Sequence, residues 1–139
     1  MFGRSEKKKN AELLASVWLD DMQKARDSVN KTTEPSVFFT DYDTVKDLAE
    51  KLASVSKYVK FKGTKPAEVL RMAVDQEQAA VRDLIVRCFQ KAVLGAEKAK
   101  TEKGKRSQVE KFQTSLEPYF FRMSDENAQP VSYTHLTLP

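Results

Sequence analysis

The residue types that most often carry catalytic chemistry are scarce in this chain. Its 139 residues include one histidine, His135, and one cysteine, Cys88. General acid–base and nucleophilic catalysis usually need a group that titrates near neutrality, most often histidine. Cys88 falls in an apolar stripe beside Leu84 and Ile85, which favours a buried structural thiol over a nucleophile. Phosphate-binding glycine loops and Glu-x-x-His metal motifs do not occur in the sequence. We therefore predict a protein that is not an enzyme and holds no cofactor or metal.

The last ten residues, 130–139, read as a sequencing artefact. One reading frame of a transposase mosaic-end adaptor translates as PVSYTHLTLP, and every residue of the segment matches it. Scars of this kind are excluded from reasoning about the fold. We expect residues 130–139 not to be native, which leaves the native part without a histidine. Because an adaptor marks the end of a cut DNA fragment, we also expect residues up to about 129 to be the N-terminal part of a longer protein.

Charge is distributed unevenly along the chain. It carries 24 basic and 20 acidic side chains, a net charge of +4, and the basic ones concentrate in residues 1–10, 57–65 and 98–111. In an up-and-down bundle the first two segments lie at the same end, where they could contact nucleic acid or an anionic membrane surface. The candidate polyanion contacts are Arg4, Lys7, Lys8, Lys9, Lys57, Lys60, Lys62 and Lys65. We favour the alternative that these lysines are solvated and complement helix dipoles, since basic groups divided between two ends form no continuous stripe.

The composition predicts a helical protein of the cytoplasm. Hydrophobic residues make up 40% and charged residues 32% of the chain, with only four glycines and five prolines, which favours helix and argues against disorder. A single cysteine excludes a disulfide-stapled secreted scaffold. The longest early apolar run, residues 13–19, is too short to span a bilayer and is followed by Asp20 and Asp21.

Apolar residues recur every three or four positions and predict four helices. We expect them over about residues 10–29, 36–60 and 64–103, and from a capping-box serine at 107 onward. Gly63 and Gly104 are natural helix terminators, and Pro118 predicts a kink or break in the fourth helix. The apolar spacing in the second helix is close to the heptad seam of a coiled coil.

These helices and their short connections predict an all-α fold. We expect an antiparallel helical bundle or long helical hairpins of about four helices, with the third helix the longest. Residues 1–9 are expected to be a mobile basic arm, and residues 10–129 a single helical domain.

Three functions are compatible with this reading. The preferred one is a non-catalytic helical interaction or scaffold module that binds a protein partner or a second copy of itself. Phe39 and Phe121 lie off the main stripes, and with Trp18 they are the candidate partner surface. The first alternative is a basic accessory protein associated with nucleic acid. The second is the N-terminal helical part of an enzyme whose active site lies in the missing C-terminal region.

Overall fold

The structure is a computed structural model that describes the backbone of residues 2–137 and the side chains of residues 6–132. These residues form six α-helices and one 3-10 helix without any strand, so the predicted all-α class is confirmed. Within this part of the chain, no helix combines the length and apolar character needed to cross a membrane. The elements are α1 (Phe2–Lys31), α2 (Pro35–Ser54), α3 (Pro66–Asp75), α4 (Glu77–Lys98), α5 (Glu102–Leu116), the 3-10 helix (Glu117–Arg122) and α6 (Asp125–Thr137).

The contacts divide the chain into two compact units. Within the described residues, unit 1 comprises residues 2–31 and 39–76, and unit 2 comprises residues 32–38 and 77–137. The sequence predicts one domain over residues 10–129.

Unit 1 is held together by apolar packing between α1 and α2. Alanines on both helices, Ala15 and Ala49, are buried and allow the two backbones to approach closely. Met22 and Val45 belong to the same cluster, so parts of both predicted stripes are confirmed. The cluster consists of Ala15, Met22, Ala25, Val45, Leu48, Ala49 and Leu52, with Trp18, Val59, Phe61, Val69 and Leu70 packed against it.

α1 begins much earlier than predicted. Residues 2–9, expected as a mobile arm, have a helical backbone that continues into the helix expected from residue 10. Lysine and glutamate are good helix formers, and extending an existing helix avoids the cost of nucleating a new one. With 30 residues α1 is the longest helix, so the prediction that the third helix is longest is wrong.

The predicted third helix, residues 64–103, is in fact divided between α3 and α4. The backbone leaves helical geometry at Gln76, with φ −103° and ψ 10°. The carbonyl of Ala73, three residues before this point, accepts a hydrogen bond from the Tyr42 hydroxyl. The polar residues 75–78 also interrupt the apolar stripe between Val74 and Val81. The expected helix therefore lacks a continuous buried face at this point.

The remaining helix boundaries follow local capping. α2 ends at Ser54, earlier than predicted, while Gly63 adopts the positive φ of +82° that favours glycine. α5 begins at Glu102 rather than Ser107, because the Thr101 hydroxyl accepts the Gly104 amide at 3.0 Å and caps the helix there. Gly104 therefore lies inside a helix instead of ending one.

Unit 2 packs α4 and α5 together. Leu84 of α4 and Leu116 of α5 are fully buried. At Gly95 a Cβ atom would lie 2.5 Å from Oε1 of Gln108, so glycine leaves room for the Gln108 side chain between the two helices. The break predicted at Pro118 is confirmed, since α5 ends at Leu116 and a 3-10 helix follows.

Polar side chains connect α4 to the end of unit 2. The Gln78 side chain donates a hydrogen bond to the Arg122 carbonyl at 2.9 Å and accepts the Ser124 amide at 2.8 Å. The buried Asn127 amide group donates to the backbone carbonyl and to the side chain of Gln78, both at 2.9 Å. These bonds fix the chain between the 3-10 helix and α6. The backbone is helical through residue 137, and the origin of residues 130–139 stays a prediction.

Candidate interaction surfaces

Candidate metal ligands do not come together in the part of the chain whose side chains are described. Among the side chains of residues 6–132, no three histidine, cysteine, aspartate or glutamate groups are arranged to hold a metal ion. That the chain is not an enzyme stays a prediction.

Cys88 is a buried thiol, as the sequence predicts. Its Sγ donates a hydrogen bond to the Thr33 carbonyl at 3.2 Å, and it borders a groove of about 440 Å³ beside the start of α2. Burial raises the pKa of the Cys88 thiol, an effect that the positive charges of Arg87 and Lys91 partly offset. A neutral, hydrogen-bonded thiol is a poor nucleophile.

An apolar groove runs between α4 and α5 in unit 2. Its volume is about 240 Å³, and Glu97 and Lys105 provide polar groups beside it. The rings of Phe89 and Phe112 meet edge to face, with their centroids 5.7 Å apart. Phe89 and Val93 remain 40% and 39% exposed, so their apolar surface is open to a partner. The residues that line this apolar groove are Phe89, Ala92, Val93, Ala96, Glu97, Lys105, Val109 and Phe112.

The groove exists because α4 is apolar over more of its surface than unit 2 covers. One face, which includes Leu84 and Ala92, is buried. A second stripe, Val86, Phe89 and Val93, has the three- and four-residue spacing of a helix face but is exposed. An amphipathic helix with one covered face would carry polar residues at those positions. The periodicity alone predicts one apolar stripe on this helix, whereas residues 84–94 hold more apolar side chains than a single face can carry.

The basic surface of unit 1 combines lysines from two segments of the chain. Lys60 and Lys62, in the connection between α2 and α3, line a groove of about 430 Å³ together with Glu12 of α1. Lys8 lies one helical turn before Glu12, so it is on the same side of α1. The structure thus brings the α2–α3 connection close to the N-terminal part of α1. We define the basic surface as Lys7, Lys8, Lys9, Lys57, Lys60, Lys62 and Lys65, all exposed.

Two neighbouring groups affect the lysines of the basic surface in opposite ways. The Glu12 carboxylate lies in the same groove as Lys60 and Lys62 and would repel an anion. The Lys57 ammonium lies 5.0 Å from the centroid of the Tyr58 ring, which is favourable for a cation. The Arg4 side chain, a candidate contact from the sequence, is outside the described side chains.

The three aromatic residues proposed from the sequence as a partner surface have different environments. Phe121 is 80% exposed in the 3-10 helix, and Trp18 is partly buried against the unit 1 cluster. Phe39, which we expected to be exposed, is only 3% exposed. In α2 the adjacent residues Phe38 and Phe39 are both buried. The buried part of the helix surface is therefore wider than the single stripe that the apolar spacing predicts. These residues are dispersed and form no common surface within either unit.

Comparison with protein-family models, with curated proteins and with solved structures finds no match to this chain. A functional proposal therefore rests on the folds and surfaces of the two units.

Proposed function

We propose that the chain is a non-catalytic helical interaction module that binds a protein partner through the apolar groove between α4 and α5. The observation that carries this proposal is the exposed stripe of Val86, Phe89 and Val93 beside an apolar cleft. Exposed apolar side chains scattered singly are normal, but a contiguous patch with a polar rim is typical of a protein-binding surface.

The groove has the chemistry of a site for an amphipathic helix. Its centre is aromatic and aliphatic, while Glu97 and Lys105 can form polar contacts at the edge, as in most protein interfaces. A helix binds such a groove by inserting side chains at three- and four-residue spacing. The groove is already open in the structure of the chain alone, with the Gln108 side chain lying against Gly95 between the two helices, and a preformed site lowers the cost of binding.

The coiled-coil seam expected in the second helix does not support this proposal. Val45, Leu48 and Leu52 of that seam are buried in the unit 1 cluster and are not available to another chain. The cytoplasmic location, and the alternative that the chain is part of a larger enzyme, stay predictions.

The proposal is tested by placing a charge in the groove of the full chain. Val93→Glu introduces a carboxylate into the cleft, whereas the matched control Val74→Glu introduces one at a 57% exposed position on α3. The apparent mass of the chain in fresh extract of its native cells, measured by size exclusion, should fall to that of the monomer for Val93→Glu and stay unchanged for Val74→Glu. An unchanged mass for Val93→Glu, with helicity preserved, would contradict the proposal.

We propose polyanion binding by the basic surface of unit 1 as a second candidate function. It is supported by the position of Lys60 and Lys62 in one groove next to the N-terminal part of α1, where Lys7, Lys8 and Lys9 add positive charge. Lysines that contact phosphates release counterions, and this makes binding strongly dependent on salt.

This second function predicts a specific salt dependence. Lys60→Gln with Lys62→Gln should reduce the slope of log affinity for double-stranded DNA against log salt by about 1.8, since each lost phosphate contact contributes about 0.9. Lys100→Gln with Lys103→Gln, in a basic segment of unit 2, is the matched control and should change it little. Absence of binding to both DNA and RNA at low salt would end this hypothesis.

A further inference from the structure

The outer face of α1 is an unusually apolar surface for an exposed helix. Leu13 and Val17 are 68% and 57% exposed, and Leu14 beside them is also exposed. The buried face of α1, with Ala15 and Met22, points to a different side, so packing within unit 1 leaves these side chains uncovered. One turn beyond Val17 the same face carries Asp20 and Asp21. The Asp20 carboxylate forms an ion pair with Lys24 at 3.2 Å, so these three side chains keep one net negative charge. We define the outer face of α1 as Leu13, Leu14, Val17, Asp20 and Asp21.

The apolar groove has the complementary distribution of charge. Its aromatic and aliphatic part, around Phe89 and Val93, leads toward the connection between α4 and α5. Residues 97–106, at and around that connection, carry five basic and two acidic side chains. Lys105 lies directly on the groove, and Lys98 ends α4. One end of the groove is therefore apolar. The other carries Glu97 as well as Lys105 and has a net positive charge from the neighbouring lysines and arginine.

We infer that the apolar groove of one chain binds the outer face of α1 of a second copy. The apolar turn with Leu13 and Val17 covers Phe89 and Val93, and the acidic turn with Asp20 and Asp21 lies at the basic α4–α5 connection. This inference rests on the proposed function, because it names the partner of the same groove.

The contact is between unlike surfaces, which determines how it assembles. Two chains can each place α1 in the groove of the other and form a closed dimer, or each chain can bind the next and form an open series. In both cases every chain uses one α1 face and one groove. A groove that instead bound a second groove would leave the outer face of α1 unused.

The first test compares variants of the purified full chain by light scattering over a concentration series. Val17→Glu, at an exposed position of α1, should weaken self-association at least about tenfold, as should Val93→Glu in the groove. Val74→Glu should have no effect. Far-ultraviolet circular dichroism should show the same helicity for all three variants, since each position is exposed.

The second test exchanges the charges between the two surfaces. Asp20→Lys with Asp21→Lys reverses the acidic turn, and Lys98→Glu with Lys105→Glu reverses the basic end of the groove. Each double variant alone should associate about tenfold more weakly than the natural chain, because like charges then face each other. An equimolar mixture of the two should recover association, since each α1 again meets a groove of opposite charge.

The outcomes separate this inference from the proposed function. One outcome would overturn α1 as the occupant of the groove: Val93→Glu abolishes self-association, but Val17→Glu and the charge reversal on α1 leave it intact. The groove would then remain an interaction surface for another partner. A natural chain that is monomeric at millimolar concentration would also overturn the inference, and the mass of Val93→Glu in native extract would still decide the proposed function. Failure of the mixed double variants to recover association would contradict the charge pairing.

Discussion

Unit 1 and unit 2 both pack helices around apolar side chains, but they differ in the polar contacts that join distant parts of the chain. In unit 1 the Tyr42 hydroxyl reaches the Ala73 carbonyl, 31 residues away. In unit 2, hydrogen bonds between residues 44 to 49 positions apart converge on Gln78. Further hydrogen bonds, between residues 55 positions apart, link Arg87 and Cys88 to the segment before α2. A polar side chain therefore has more influence on the geometry of unit 2.

This difference follows from the kinds of element that each unit contains. α1 and α2 of unit 1 are long enough to bury regular stripes, and alanines let these two helices approach each other. Unit 2 includes a 3-10 helix and short connections whose backbone groups lack the regular partners of an α-helix. Gln78 and Asn127 supply some of those partners, as buried polar groups require. The two units should respond differently to polar substitutions and similarly to apolar ones.

The largest expected effect comes from truncating a fully buried leucine in either unit. Leu52→Ala in unit 1 and Leu116→Ala in unit 2 should each lower the free energy of unfolding by about 2–5 kcal/mol, because both side chains are completely covered. Hydrogen exchange measured by mass spectrometry can follow the two units separately. Each variant should accelerate exchange most in its own unit. A cost below about 1 kcal/mol at either site would show that the core is wrongly assigned.

A smaller but unit-specific effect is expected from Gln78→Ala. It removes the partner of the Ser124 amide and one of the two Gln78 acceptors of the buried Asn127 side chain, while the bond to the Gln78 backbone carbonyl stays. Unsatisfied buried groups cost about 1–3 kcal/mol. Chemical denaturation should detect this loss. The control Gln23→Ala removes an exposed side chain that bonds to Asp27 within α1 and should change stability by less than about 0.5 kcal/mol. Equal effects of the two substitutions would remove the distinction between the units.

Tyr42→Phe should have a still smaller effect, confined to unit 1. The ring stays in place, while the hydrogen bond to the Ala73 carbonyl is lost, at a cost of about 1 kcal/mol. The end of α3 should exchange its amide hydrogens faster, because the bond at the interruption at Gln76 is gone. If exchange over residues 70–76 were unchanged, this bond would not contribute to the end of α3.

The smallest expected effect is a dependence of stability on alkaline pH that comes from Cys88. Burial raises the pKa of this thiol in the folded chain, so the folded state favours the protonated form. The stabilisation from the protonated Cys88 thiol is fully present below the pKa of a cysteine in the unfolded chain, about 8.5. It is lost as the pH rises through the higher pKa of the thiol in the folded chain. The stability of the natural chain should therefore fall relative to Cys88→Ala above that pH. Parallel stability curves for the two proteins would contradict the assignment.

The sequence predicts the parts of the fold that depend on local patterns. Apolar spacing correctly predicts buried faces at Met22, Val45 and Leu84, and the fixed ring of Pro118 correctly predicts the end of α5. The hydrogen bond beside the interruption at Gln76 is not predictable in this way, because the hydroxyl that bonds to the Ala73 carbonyl belongs to a residue 31 positions away.

The candidate site is harder to predict from the sequence than the fold. The spacing of Phe89 and Val93 shows only that both lie on a helix, and their exposure depends on which neighbours cover that helix. The same is true of Phe39, which was wrongly expected on the surface. The predicted start of α5 is also wrong, because Thr101 and Ser107 are both plausible N-cap residues and only the folded chain distinguishes them.

The most direct test of the central claim, that the groove between α4 and α5 binds a protein, is site-specific photo-crosslinking of the full chain in its native cells. A photoreactive residue at position 93 should give protein adducts in high yield, and one at position 74 should give few, although both replace exposed valines. Mass-spectrometric mapping would then identify the residues of the partner that contact the groove. Adducts at position 93 that are absent, or no more frequent than at position 74, would contradict the account.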